Sequence, residues 1–172
     1  MKNLLKLKVL AIMLVAIVFV SCDDSEDPMP VDNTITGLAV KNPNLKILVQ
    51  ALTRADLAVT LKGTGPFTVF APTDAAFTAF LKTTPYAPVN DVPKDVLTQI
   101  LLNHVVSGSV KSTALTTTYI KTLAKGSASS TNTLSMYVDV TSGVKLNGVA
   151  NVTTADVMAS NGVIHVVDAV IN

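Results

Sequence analysis

The chain has 172 residues, 49% of them hydrophobic, and a formal net charge of +1. That length suits one domain with an appendage, and the near-neutral charge without a basic patch argues against a nucleic-acid partner. With no tryptophan, five phenylalanines and three tyrosines, a dense aromatic platform for stacking sugars is not expected either.

At the N-terminus, Lys2, Lys6 and Lys8 precede an apolar run from Val9 to Val20. The run is shorter than the roughly 20 residues a spanning helix needs. Basic, then apolar, then small residues is the form of a secretory signal, read here as residues 1–21. The segment Val18-Phe19-Val20-Ser21-Cys22 resembles a bacterial lipoprotein signal, in which the cysteine becomes the lipidated first residue. Cys22 is the lone cysteine, so no internal disulfide can form. An ordinary signal peptide with an incidental cysteine, or an uncleaved anchor, would read similarly. Loss of residues 1–21 removes three lysines and no acids, which moves the formal charge from +1 to −2.

Residues 22–31 include Asp23-Asp24-Ser25-Glu26-Asp27-Pro28, which reads as an extended acidic tether. The acidic run resembles the surface-export signal of Bacteroidetes lipoproteins; a solvated spacer accounts for it equally well. Asp32 or Asn33 can cap a short helix carrying Ile35, Leu38 and Ala39, and Asn44 can cap a longer one. Leu45, Leu48, Val49 and Leu52 then repeat at helical spacing, and Leu57 to Leu61 continues the layer.

The most informative stretch runs from Gly65 to Phe77. Gly63-Thr64-Gly65-Pro66 is a breaker-rich turn. Phe67 to Ala71 is apolar at every position except Thr68, the pattern of a strand covered on both faces. Pro72 has no N–H and stops the ladder. Thr73 is an N-cap, and Asp74 places negative charge in the first turn of a helix. Ala76, Phe77, Phe80 and Leu81 share one face of that helix. A proline-punctuated loop over Thr83–Asn90 follows, and Pro93 starts another helix with a stripe of Val92, Val96, Leu97, Ile100 and Leu101.

From His104 onward the period changes to that of strands. Val105-Val106, Tyr119–Leu123, Leu134–Val140, Val149–Thr153 and Val163–Ile171 are the expected strands. Lys125–Asn132 reads as a loop. Ser142-Gly143 and Asn147-Gly148 are turn dipeptides, the second with the preference of a type I′ turn. Helices first and strands later give an α+β class.

Three segments in this order carry a family resemblance over about residues 32–172. The central stretch, with Thr68, Phe70, Ala71, Pro72, Thr73, Asp74 and Phe77, resembles the first signature motif of the fasciclin-like domain. Asn161-Gly162-Val163-Ile164-His165-Val166-Val167-Asp168 resembles the second. Leu102-Asn103-His104-Val105-Val106 resembles the Tyr-His segment between them, with Asn103 in the tyrosine position. The resemblance implies a wedge-shaped β-sandwich with flanking helices, and an extracellular adhesion or matrix-binding module rather than an enzyme. It implies no cofactor. Thr154-Ala155-Asp156-Val157-Met158 resembles in part an integrin-associated segment of animal members. Asp156 and Met158 match, but the preceding Glu-Pro is absent, so a bacterial or environmental partner fits better. Asp156 also reads as a turn or cap residue ahead of Asn161-Gly162.

Catalytic constellations are sparse. His104 and His165 are the only histidines, and both read as structural groups with satisfied ring nitrogens. No pair has the spacing of a zinc site, no Gly-x-Ser-x-Gly elbow is present, and no glycine-rich phosphate loop precedes a helix. Asp74 or Thr73 is expected to bond near His104 and lock the corner. Asn151-Val152-Thr153 matches a glycosylation sequon that has no meaning in a bacterial lipoprotein. The functional expectation is a lipid-anchored extracytoplasmic protein of the bacterial envelope, at the outer membrane. It would be a monomer or weak oligomer binding a protein or glycan in adhesion. An envelope scaffold without an external ligand is the alternative.

Overall fold

The computed structural model describes residues 31–126 and 131–172. The leader at 1–21, Cys22, nearly all of the acidic tether and the centre of the 125–132 loop lie outside the described residues. Residues 32–172 form one compact unit.

Three short helices open it: α1 (Ile35–Lys41), α2 (Lys46–Arg54) and α3 (Leu57–Lys62). The cap of α1 is Thr34, one residue after Asn33 and two after Asp32. Thr34 accepts from the Gly37 N–H, while Asp32 accepts from both the N–H and the hydroxyl of Thr34. Asn44 caps nothing. Leu45 occupies the N-cap of α2, and the open N–H of Ile47 donates to Asp74 Oδ1 at 2.7 Å. A carboxylate from another element has taken the capping role, because Leu45 has no acceptor to offer.

Strand β1 (Phe67–Pro72) leads through Thr73 into α4 (Asp74–Leu81). Pro72 is the last paired residue, and the next N–H, that of Thr73, donates to the Val167 carbonyl. Thr73 Oγ1 accepts from the Ala76 N–H and caps α4 as its sequence implied. Helix α5 (Lys94–Asn103) follows a short 3-10 turn at Val89–Asp91. Its stripe is narrower than expected, since Val96 is exposed while Leu97 and Leu101 are buried.

Six further strands are β2 (Val105–Ser107), β3 (Thr118–Lys125), β4 (Thr133–Asp139), β5 (Lys145–Leu146), β6 (Ala150–Ala159) and β7 (Gly162–Val167). They join β1 in one seven-stranded sheet ordered β2-β1-β7-β6-β5-β4-β3. β1 and β7 run parallel and the other pairs antiparallel. The two edge strands, β2 and β3, approach each other without pairing, so the sheet curls back on itself.

The curl creates two cores. Phe70, Met136, Val138, Leu146, Val167 and Ile171 fill its inside. Val69, Ala71, Ile164 and Val166 point the other way, under the helices, with Leu48, Phe77, Leu97 and Leu101. Alternate residues of β1 and β7 thus enter opposite cores, which is why their runs are apolar without alternation. Burying Phe70 and Phe77 contributes about 1.5–3 kcal/mol each. The class is α+β, with helices on one flank of a folded sheet.

The limits of β7 and β6 differ most from expectation. β7 ends at Val167, and Val170 and Ile171 are buried beyond the ladder. β6 starts after an exposed Val149 and continues through the Thr154–Met158 segment to Ala159. Asn147 and Gly148 have φ of +48° and +69°, as a type I′ turn requires.

Candidate functional site

The motif residues do not gather around a cleft. They form clamps, each fastening one stretch of backbone to another.

The first clamp centres on a bulge. Between the pairs Thr154–Val166 and Val157–Ile164, β6 spends one residue more than β7. The extra residue leaves an N–H without a ladder partner. Asp156 sits there in the left-handed region, φ +59°. Its N–H donates to Nδ1 of His165 at 3.2 Å, so Nε2 carries the proton and donates to the Val110 carbonyl at 2.9 Å. The Asp156 carboxylate accepts from the N–H of Ser112 at 2.7 Å and from its hydroxyl. Those two Ser112 donors hold the carboxyl below its usual value. Thr68 on β1 accepts from the Val110 N–H at 2.9 Å and donates to the Gly108 carbonyl at 2.6 Å. Thr68, Asp156 and His165, from three strands, therefore fasten one segment, 108–112. Phe70 stacks on the His165 ring, with centroids 5.4 Å apart.

The second clamp corrects an expectation. His104 does not pair with Asp74 or Thr73, which are committed to capping α2 and α4. His104 ends α5 fully buried. Nδ1 donates to the Ile100 carbonyl at 2.7 Å, and Nε2 accepts from the Ile171 N–H at 2.9 Å. Burial pulls its pKa down to about 4, against the opposing hydrogen bond to Ile100. Asn103 completes the grip. Its amide donates to the Ile171 carbonyl at 3.3 Å and its oxygen accepts from the Thr122 hydroxyl at 3.2 Å. Ser112 and Ile171 are the partners that sequence reading missed, and neither carries a pattern that could have revealed them.

The third clamp is Asn161. Its side-chain oxygen accepts from the Ile35 N–H at 2.9 Å. Its amide donates to the carbonyls of Leu61, at 2.8 Å, and Gly63, at 2.7 Å. Its own carbonyl accepts from the Phe67 N–H. One side chain thus joins the start of α1, the end of α3 and the β1–β7 ladder. The neighbouring Gly162 has φ +154°, and a Cβ there would stand 2.0 Å from the Phe67 carbonyl oxygen. Asp168 forms a smaller clamp, accepting from the Asn151 N–H at 2.7 Å and from its side-chain amide at 2.8 Å. Burial pushes the Asp168 carboxyl up, but the Asn151 donors outweigh it and leave it below the usual value.

The bulge also corrects the placement of Asp156. It lies within β6, not in a turn before Asn161-Gly162, and its capping is of a distant 3-10 turn at Ser112–Ala114. Among the described residues, no group of three His, Cys, Asp or Glu side chains could hold a metal ion. No described helix is long and apolar enough to cross a membrane.

The result is an α+β scaffold whose signature polar residues are engaged with its own backbone. A model of the fasciclin domain matches residues 43–172, and the chain belongs to that family. It is 42% identical over 139 residues to protein sll1483 of Synechocystis sp. (strain ATCC 27184 / PCC 6803 / Kazusa), covering 80% of this chain and 72% of that one. The uncharacterized protein sll1735 of the same organism is 36% identical over 137 residues, covering 80% and 96%. The fold is similar to that of a solved FAS1 domain pair from the insect cell adhesion molecule fasciclin I. The TM-score is 0.65 at 20% identity, over 81% of this chain and 51% of that one.

Proposed function

We propose that this is a lipid-anchored extracytoplasmic binding module of a bacterial envelope, acting in adhesion or matrix attachment and performing no catalysis. One observation carries the reading. The groups that could do chemistry in the motifs, His104, His165, Asp74, Asp156 and Asp168, are each engaged with backbone N–H or carbonyl groups. Such groups rigidify a scaffold and leave recognition to its surface and loops. Membership of a family commonly used for adhesion or binding points the same way. Cys22 supplies the anchor, and a diacylated cysteine would hold firmly, since each buried methylene contributes about 0.8 kcal/mol.

The test combines fractionation, protease shaving and capture. The chain should partition with membranes, and Cys22→Ala should release it. Shaving intact cells should remove the domain, and the purified domain should retain an envelope or matrix component. Membrane partitioning unchanged in Cys22→Ala would refute the anchor. Deletion of the gene that weakened the envelope but left attachment normal would refute adhesion and favour the scaffold reading.

A further inference from the structure

A cavity of about 350 Å³ opens between α2, the end of α4 and the loop before the 3-10 turn at Val89–Asp91. Ile47, Leu81, Ala87, Pro88 and Val89 make its wall apolar. Lys82 is the one charged residue of the lining, and its ammonium makes no ion pair or hydrogen bond to any described residue. A second depression, which shares Gln50 with the first, is lined by Val49, Thr53, Arg54 and Asn90. The guanidinium there uses one N–H on the Val92 carbonyl, at 3.2 Å. No acid lines either part.

An apolar wall with unpaired positive charge at its rim selects a ligand of matching polarity. The volume falls at the small end of ligand sites, about 300–1,000 Å³. We propose that this cavity binds a single-chain anionic amphiphile, its alkyl chain against Ile47, Leu81 and Val89 and its anionic head on the Lys82 ammonium. Lys82 is exposed, so its ammonium gives a carboxylate or phosphate the modest advantage of a solvent-screened ion pair over a neutral head. The chain supplies affinity in proportion to its buried length. None of the clamp residues lines the site, and it does not depend on the adhesion reading.

The experiment uses the full chain and decanoate, followed by amide NMR shifts and calorimetry. Shifts should concentrate at Ile47, Thr78, Leu81 and Val89, and affinity should rise about fourfold per added methylene from octanoate to decanoate. Lys82→Gln should weaken decanoate about fivefold and leave decanol unchanged. Thr78→Trp, an exposed position of the lining, should block both ligands while amide dispersion remains that of the parent. Decyl phosphate binding at the same amides separates a general anionic head from a carboxylate-specific one, and either supports the site. Shifts confined to other amides, equal decanoate affinity in Lys82→Gln, or full binding by Thr78→Trp would each overturn it.

Discussion

Nε2 of His104 accepts the backbone N–H of Ile171 across 2.9 Å, and this bond ties the end of α5 to the last buried residue of the chain. The acceptor exists only while the imidazole is neutral. Its pKa is drawn from 6.5 to about 4 by burial. The unfolded chain therefore binds a proton at pH values where the folded chain does not. Stability contributed here is complete above about pH 6.5 and is lost as pH falls toward 4. The shift corresponds to at most about 3 kcal/mol. Urea midpoints measured from pH 8 to pH 4 should fall, and His104→Gln should be less stable at pH 8 with a flatter profile. An unchanged profile in the variant would remove His104 as the source.

Asn161 should be the costliest polar residue to lose. Asn161→Ala leaves the Ile35 N–H and the Leu61 and Gly63 carbonyls without their partner. Buried groups left unpaired cost about 1–3 kcal/mol each, so a total near 3 kcal/mol is expected after relaxation and water entry. Asn161→Asp should be no better, since it keeps the acceptor but presents an oxygen to two carbonyls. Chemical denaturation of the three proteins checks the order.

Gly162→Ala meets a harder obstacle. Backbone, not a flexible side chain, occupies the place of the new methyl, and φ is +154°. Separating β1 from β7 at this point would disturb the one parallel pair in the sheet. A loss of at least about 3 kcal/mol is expected, and soluble expression should drop sharply. A variant melting within a few degrees of the parent would contradict the close approach.

At Asp156 the backbone and the carboxylate make separate demands. Asn tolerates φ near +59° and keeps one acceptor for Ser112; Gly meets only the first demand; Ala meets neither. Melting temperatures should therefore fall in the order parent, Asn, then Gly, with Ala lowest. The carboxyl is held below its usual value by Ser112, so its contribution is present at neutral pH and fades as pH drops through the lowered pKa. Asp156→Asn should abolish that acid-side loss. If Ala were as stable as Asn, the bulge would not need a residue suited to positive φ.

Local chemistry was legible in the chain itself. The strand, proline corner and capped helix from Phe67 to Leu81, the stripes of α2 and α4, and the Asn147-Gly148 turn rest on neighbours a few residues apart. The order of three short motifs was enough to place the chain in its family. Side-chain destinations were not legible, because their partners are far away in sequence. Asp74 reaches Ile47 across 27 positions, Asp156 reaches Ser112 across 44, and His104 receives Ile171 across 67. A bulge has no residue signature in β6, so neither the turn of Asp156 out of the ladder nor the ring it finds could be read in advance. Folding the sheet back on itself decided those meetings. An open N–H or carbonyl takes whichever buried partner packing brings within about 3 Å, and that choice belongs to the assembled molecule.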